Sequence, residues 1–362
     1  MVAQQQVVEI AKAMSFNARV LIMDEPTAAL TESETEILFG LISDFKAQNT
    51  GIIYISHRME ELKAISDRIT VLRDGQYVDT LATSQTDLPQ VISLMVGRRL
   101  RSETRPGPLE GERPTVLEVR DLSTRGLLTD VSFELSKGEI LGFAGLMGAG
   151  RTEVARVICG ADKSSAGEIR VHGEKVKIAD PSDAARLRIG YLSEDRKRYG
   201  LMIDQDVNFN ILISSITDHT APLGFVRDAS GRKVSEGFVE SMGIKTPSIR
   251  QTVKNLSGGN QQKIVVAKWL AKDCDILIFD EPTRGIDVGA KEEIYDLLRR
   301  LADQGKAIIM ISSELPEVLR MAHRIVVMCE GRVTATLDNA EADQELIMDH
   351  ATRVGAHGGI EG

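Results

Sequence analysis

Two adjacent carboxylates close an apolar run twice in this chain, at Asp24-Glu25 and at Asp280-Glu281, and each pair is followed by Pro-Thr. Four or five apolar residues ending in paired acids suit a buried parallel strand that delivers carboxylates to its C-terminal edge, where open α/β sheets bind ligands. At a phosphoryl group, Asp24 and Asp280 would hold Mg2+ through water, while Glu25 and Glu281 would orient a water for attack. A plain strand turning at an acidic corner accounts for one such pair, but poorly for two in register. Upstream of the second pair, Ile140-Leu-Gly-Phe-Ala reads as an apolar strand, Gly145, Gly148 and Gly150 as a turn, and Arg151-Thr152-Glu153 as a helix start. Glycines let the backbone wrap a polyphosphate so that N–H groups and the positive end of the helix face its oxygens. Arg151 stands where a phosphate-binding loop expects lysine, a planar guanidinium in place of a compact ammonium. Thr152 keeps the hydroxyl that would join Mg2+.

These residues need strands and helices to position them, and the chain supplies the same set twice. The two acid pairs are 256 residues apart, and the register continues without a gap: Asn260-Gln261-Gln262 falls on Gln4-Gln5-Gln6, Ile311-Ser312-Ser313 on Ile55-Ser56-His57, and Gly331 on Gly75. This is an internal duplication in which His57 and Ser313 occupy corresponding places. In the first copy, residues 1–14 read as a helix with Val7, Ile10, Ala11 and Met14 on one side. A helix over about 33–47, a strand over 51–56 and a strand over 69–72 turned by Asp74-Gly75 follow. Residues 97–115, with Arg98, Arg99, Arg101, Arg105, Arg113 and three prolines, predict an exposed linker with solvated charges. The second copy opens on strands over 116–119 and 131–135, and a polar helical insertion fills roughly 195–255. It ends at Leu256-Ser257-Gly258-Gly259, where a hydroxyl and bare N–H groups at a helix N-terminus form a second anion site.

Composition bounds the reading. With 362 residues, 42% apolar and 27% charged, the chain is long enough for two globular domains. A net charge of −9 argues against a nucleic-acid partner. Cys159, Cys274 and Cys329 match no metal spacing and read as core residues of a reduced compartment. No apolar run reaches the roughly 18 residues a bilayer demands, so a soluble cytosolic chain is expected.

The Leu256-Ser-Gly-Gly259 motif, followed about twenty residues on by an Asp-Glu strand, resembles the signature of ATP-binding cassette ATPases. Together with Gly145-Leu-Met-Gly-Ala-Gly-Arg-Thr-Glu153, Tyr191-Leu-Ser-Glu194-Asp-Arg-Lys197, Asp280-Glu-Pro-Thr-Arg-Gly-Ile-Asp287 and Ser312-Ser313-Glu314, it is similar to the two-cassette ATPase subunits of bacterial importers of the ribose, galactoside, xylose and arabinose type. The resemblance covers essentially the whole chain. It implies a P-loop cassette α/β fold: part of a first cassette over 1–96, a linker over 97–115, a complete second cassette with its helical subdomain over 116–350, and a tail over 351–362. It implies ATP and Mg2+ as cofactors, and hydrolysis driving a monosaccharide through membrane permease subunits fed indirectly by a periplasmic or extracellular sugar-binding protein. The chain would then sit peripherally on the cytoplasmic face of the plasma membrane.

By the same resemblance Glu25, His57 and Glu281 are catalytic. Gly145, Gly148, Gly150, Arg151, Thr152, Glu194, Ser257, Gly258, Gly259 and Asp287 bind nucleotide, and Asp24, Asp280 and Thr152 bind Mg2+. Glu194 would sense the γ-phosphate and contact the permease, with 207–213 and the flanking loop adding to the docking surface. Each nucleotide would lie between the phosphate loop, acid pair and switch residue of one half and the signature of the other. One site combines Arg151, Ser313 and a signature reduced to Met1-Val-Ala-Gln4; the other combines Asp24, Glu25 and His57 with the intact Ser257-Gly258-Gly259 and is the hydrolytic one. A phosphate loop for the first half would fall before Met1, so the resemblance implies an N-terminally truncated subunit that binds ATP weakly and turns over far more slowly than a complete one. Such cassettes stack adenine on an aromatic from the first strands; none occurs between Val116 and Val131, leaving Leu122 or Leu127 for apolar contact. Two other readings remain, a soluble cassette ATPase of translation or repair and a nucleotide-binding fragment without turnover. The sugar is not legible in this chain.

Overall fold

The computed structural model describes residues 8, 12, 18–24, 26–27, 30, 32–56, 59–73, 75–86, 90–91, 94, 105–107, 109, 111–220, 228–286 and 288–352. Glu25, His57 and Asp287 lie outside them, as do nearly all of the helix expected over 1–14 and most of the expected linker. The chain forms two compact units, essentially residues 1–102 and 103–362.

The first unit runs β1 (Val20–Asp24), α1 (Glu32–Ala47), β2 (Gly51–Ile55), α2 (Met59–Ile65), β3 (Arg68–Arg73) and β4 (Gln76–Ala82). β1 pairs with β2 in parallel, and β3 with β4 as an antiparallel hairpin turned at Gly75, whose φ of 75° a glycine adopts without strain. Leu21 and Met23 are buried with Leu38 and Ile42 of α1, while Val20 and Ile22 stand 58% and 64% exposed. A buried parallel strand was expected here; β1 is parallel to β2 and buried on one face.

The second unit runs β5 (Thr115–Ser123), β6 (Val131–Ser136), β7 (Ile140–Gly145), α3 (Arg151–Ile158), β8 (Ala166–Val171), β9 (Glu174–Val176), α4 (Pro181–Arg186) and β10 (Ile189–Leu192). After a π-helical turn at Arg196–Gly200 come α5 (Val207–Leu212), α6 (Asp228–Ser241), α7 (Gly258–Ala271), β11 (Ile276–Asp280), α8 (Val288–Asp303), β12 (Ala307–Ile311), α9 (Leu315–Met321), β13 (Arg324–Cys329), β14 (Arg332–Asp338) and α10 (Gln344–Thr352). A six-stranded sheet ordered β10-β11-β12-β7-β13-β14 is parallel except at its β14 edge, and β6-β5-β8-β9 forms an antiparallel sheet. One core joins the antiparallel sheet, α3 and one face of the large sheet; another packs α5, α7 and α8 on the opposite face. All five residues of β11 and of β12 are therefore buried, as continuous apolar parallel strands should be. β5 runs longer than the expected 116–119 because Leu122 returns to the core after a bulge at Asp121, whose φ is 48°.

The duplication extends to the backbone. β1, α1, β2, α2, β3 and β4 have the same bounds as β11, α8, β12, α9, β13 and β14 displaced by 256 residues. Even the hairpin irregularity recurs, between Val71 and Leu72 and between Val327 and Met328.

Arg105 and Arg113 of the expected linker are exposed, and each also bonds to backbone: Arg105 donates to the carbonyls of Asn339 (3.1 Å) and Ala342 (2.6 Å), and Arg113 to that of Gly138 (3.2 Å). Of the apolar side chains at 207–213, Val207, Ile211 and Leu212 are buried against α7 while Phe209 and Ile213 are half-buried, and in the preceding loop Tyr199 and Met202 are exposed.

Within α7, Lys268 is buried and donates to the Gly200 carbonyl at 2.7 Å, and burial pushes its ammonium down to about 8. The unfolded chain, with an ordinary lysine, binds more protons between that value and about 10.4, so stability rises with pH across this window. From pH 8 to 9.5 the gain is on the order of 1 to 2 kcal/mol. Denaturant melts should show this rise in the wild type and its loss in Lys268→Met; parallel profiles would contradict it.

Candidate functional site

The apolar strand β7 ends in a turn whose glycines are sterically required. Gly145 has φ 151°, and a Cβ there would stand 2.4 Å from the Met328 carbonyl oxygen. Gly150, with φ 103°, would place a Cβ 2.9 Å from Leu128 Cδ2. Gly148 at φ 80° faces open space, so its requirement is conformational. α3 starts directly after this turn, and the turn, the helix N-terminus and the end of β11 form one locus.

Asp280, almost wholly buried at the last position of β11, accepts hydrogen bonds from Thr152 Oγ1 (3.2 Å) and Tyr191 OH (2.9 Å). Burial raises its carboxyl above the usual range, opposed by these two hydrogen bonds and the Arg151 charge. Glu281 follows in a left-handed conformation, φ 50°, and its Oε2 accepts from Ser313 Oγ at 3.1 Å. Its carboxyl is likewise raised by burial, with Ser313 and Arg151 acting the other way. A non-glycine residue held there stores strain, a common feature of reacting groups. Arg151 is no solvated helix-start residue: it is buried, its Nη1 donates to the Ser312 carbonyl at 2.6 Å, and burial lowers its pKa while the Glu281 and Asp280 charges support it. The phosphate loop, both carboxylates and Ser313 are thus brought together by short bonds.

Among the described residues no cluster of three acids, histidines or cysteines forms a metal cage. Mg2+ needs none, because it keeps several waters and takes one or two carboxylates plus phosphate oxygens. The Asp280 carboxylate with the Thr152 hydroxyl beside a phosphate loop fits that demand.

Ser257, Gly258 and Gly259 sit elsewhere in this unit, at the start of α7. Ser257 is the exposed N-cap residue, yet its hydroxyl makes no capping bond and accepts from Asn260 Nδ2 at 2.9 Å. Both glycines have packing reasons as well. A side chain at Gly258 would meet Arg196 Nη2 at 2.7 Å, and one at Gly259 would meet Ala290 Cβ at 2.7 Å. Glu194 is ion-paired with Arg284. Asp24 is exposed at the end of β1, whereas Thr152 and Tyr191 cover Asp280. Leu122 is sealed in the core and cannot touch a base, which leaves the half-buried Leu127.

Three contributors escaped sequence reasoning. Tyr191 lay inside a quoted motif without a role, and only the β10-β11 pairing reveals its hydroxyl on Asp280. Arg196 donates to the carbonyls of Arg284 (3.0 Å) and Gly285 (3.3 Å), backbone contacts that leave no trace in residue type. The third is the carboxylate of Glu317, which accepts from Thr283, Ser312 and Tyr295.

The sequence matches the family model described as ABC transporter over residues 128–284, a span holding the phosphate loop, Asp280 and Glu281. A putative ribose/galactose/methyl galactoside import ATP-binding protein 2 of Burkholderia cenocepacia is 60% identical over 353 residues, 97% of this chain and 69% of that protein. This chain belongs to the ABC transporter family of ATP-binding proteins. Another similar protein, from Albidiferax ferrireducens, is 55% identical over 97% of this chain and 70% of its own length. Among solved structures, a nucleotide-free ATP-binding cassette of an ABC transporter matches with TM-score 0.55 and 19% identity, covering 66% of this chain and 96% of its own. A dimeric cassette bound to ADP and Pi matches with TM-score 0.53 and 20% identity, over 62% of this chain and 98% of its own. These two establish that the fold is the P-loop cassette. ABC cassettes bind and hydrolyse ATP.

Proposed function

We propose that this chain is the ATP-binding and ATP-hydrolysing subunit of an importer that moves a monosaccharide through a membrane permease. The observation that carries the reading is the Thr152 to Asp280 hydrogen bond, which joins the phosphate loop to the acid-tipped strand in the arrangement a Mg2+-nucleotide needs. Gly145, Gly148, Gly150 and Arg151 would hold phosphates; Asp280 and Thr152 would hold Mg2+; Glu281 would orient water. Ser257 to Gly259, Glu194 and Asp287 complete nucleotide contacts, and Asp24, Glu25 and His57 serve the first repeat in the same roles. The cassettes would span 1–96 and 116–350, a division supported by the repeat of strands and helices. The import role draws on relatives of 55–60% identity that carry that description. Permease subunits are the direct partners, a sugar-binding protein the indirect one, and the cytoplasmic face of the membrane the place. No described helix is long and apolar enough to cross a membrane, which fits a peripheral subunit.

The single tryptophan provides a test. Trp269 Nε1 donates to the Tyr191 carbonyl at 2.9 Å, and the Tyr191 hydroxyl holds Asp280, so one residue separates the indole from the metal-binding carboxylate. Mg2+-ATP should change Trp269 fluorescence saturably, and removing Mg2+ with EDTA should weaken the response. A flat titration to millimolar nucleotide would sink the reading. Sugar-dependent stimulation of hydrolysis in vesicles holding a sugar permease would test the import half.

A further inference from the structure

Behind the carboxylate pair lies a buried acid that the ATP site does not use directly. Glu317 accepts from Thr283 Oγ1 at 2.5 Å, Tyr295 OH at 2.6 Å, Ser312 Oγ at 2.9 Å and Lys291 Nζ at 3.0 Å. Thr283 lies two residues beyond Glu281, and Ser312 directly precedes Ser313 while lending its carbonyl to Arg151. One carboxylate therefore grips both chain segments that lead to the Glu281 to Ser313 contact.

The first repeat builds the same knot. Glu61 accepts from Thr27 Oγ1 at 2.7 and 2.9 Å, from Ser56 Oγ at 3.1 Å and from Tyr54 OH at 2.8 Å. Thr27, Ser56 and Glu61 correspond to Thr283, Ser312 and Glu317, but the tyrosines do not correspond. Tyr295 comes from α8, where the first repeat has Phe39, and Tyr54 comes from β2, where the second has Met310. Two different elements thus deliver a phenolic hydroxyl to the equivalent carboxylate. Packing alone has no use for that. A demand for a fully solvated-by-protein, fixed carboxylate explains it, since a buried acid keeps its geometry only when its lone pairs are filled.

We propose that Glu317, and Glu61 in the first repeat, are positioning residues that fix the water-orienting carboxylate and the switch residue opposite the nucleotide's terminal phosphate. This rests on the nucleotide-site reading above. Ser313 and Glu281 face the γ-phosphate only, so loosening them should harm ATP binding and spare ADP, whose phosphates meet the glycine loop and Arg151. A merely structural role would lower thermal stability and affect both nucleotides alike.

The test is a pair of Trp269 fluorescence titrations on the full chain, with Mg2+-ATP and with Mg2+-ADP. Glu317→Gln should cut the affinity for ATP about tenfold, the scale of one lost charged hydrogen bond, with ADP affinity changed less than about twofold. Ser312→Ala, which removes one donor to Glu317 and the acceptor for the Glu314 N–H, should move the ATP to ADP ratio in the same direction by about threefold. An unchanged ratio in both variants, or equal losses for the two nucleotides, would overturn the proposal. Should Glu317→Gln fail to fold, Ser312→Ala decides alone. A wild-type chain that binds neither nucleotide would overturn the site reading and this inference together.

Discussion

Arg151→Ala is expected to weaken Mg2+-ATP binding at the second unit's phosphate loop by about 1.5–3 kcal/mol, the worth of a hydrogen bond to a charged group, or roughly 10- to 150-fold. The guanidinium lies under the loop, bonded to the Ser312 carbonyl and close enough to Asp280 and Glu281 to counter the rise that burial gives both carboxyls. Its loss leaves two buried acids facing an incoming polyphosphate without a cation, apart from Mg2+. Arg151→Lys should keep most of the affinity, because a lysine restores the charge but not the fork that reaches several oxygens. It should not create a fast site, since Ser313 remains in the switch position. Trp269 fluorescence reads both variants, and equal affinity in wild type and Arg151→Ala would reduce Arg151 to a structural strut.

Much of this site was legible because its chemistry is local in sequence. The glycine turn, Thr152 and the acid pairs each announce themselves within a few residues, and the 256-residue register predicted elements that recur with the same bounds. Burial was less legible. The runs Val20-Leu-Ile-Met and Ile276-Leu-Ile-Phe look alike, yet β1 is buried on one face and β11 on both, where α3 and the antiparallel sheet cover one side and α7 and α8 the other. Long-range partners were least legible: the Tyr191 to Asp280 bond spans 89 residues, and Arg105 reaches Asn339 across 234. Residue type says a phenol or guanidinium will seek a partner; strand order decides which.

The two acid pairs should differ in what they contribute to turnover. In a two-cassette subunit whose first half carries its own phosphate loop, assembled on its permease, Glu25→Gln is expected to lower steady-state ATP hydrolysis at least about 100-fold, the usual cost of losing a group that acts in the transition state. Glu281→Gln should cost less than about threefold if that site mainly holds nucleotide. The segments behind the two pairs are held alike: Thr27 and Ser56 are bonded to Glu61 as Thr283 and Ser312 are to Glu317. The difference lies in what stands opposite. Ser313 offers Glu281 a short hydroxyl 3.1 Å away, which stabilises the carboxylate but carries no ring nitrogen to reach a transferring phosphoryl group. His57 holds that place in the first repeat, and an imidazole both donates at a distance and changes charge near neutral pH. A serine in place of His57 should therefore bring the first repeat's turnover down with Glu25→Gln, whereas a histidine at position 313 should raise the dependence on Glu281. Comparable losses from Glu25→Gln and Glu281→Gln would refute the division and make the two sites equivalent despite their different switch residues.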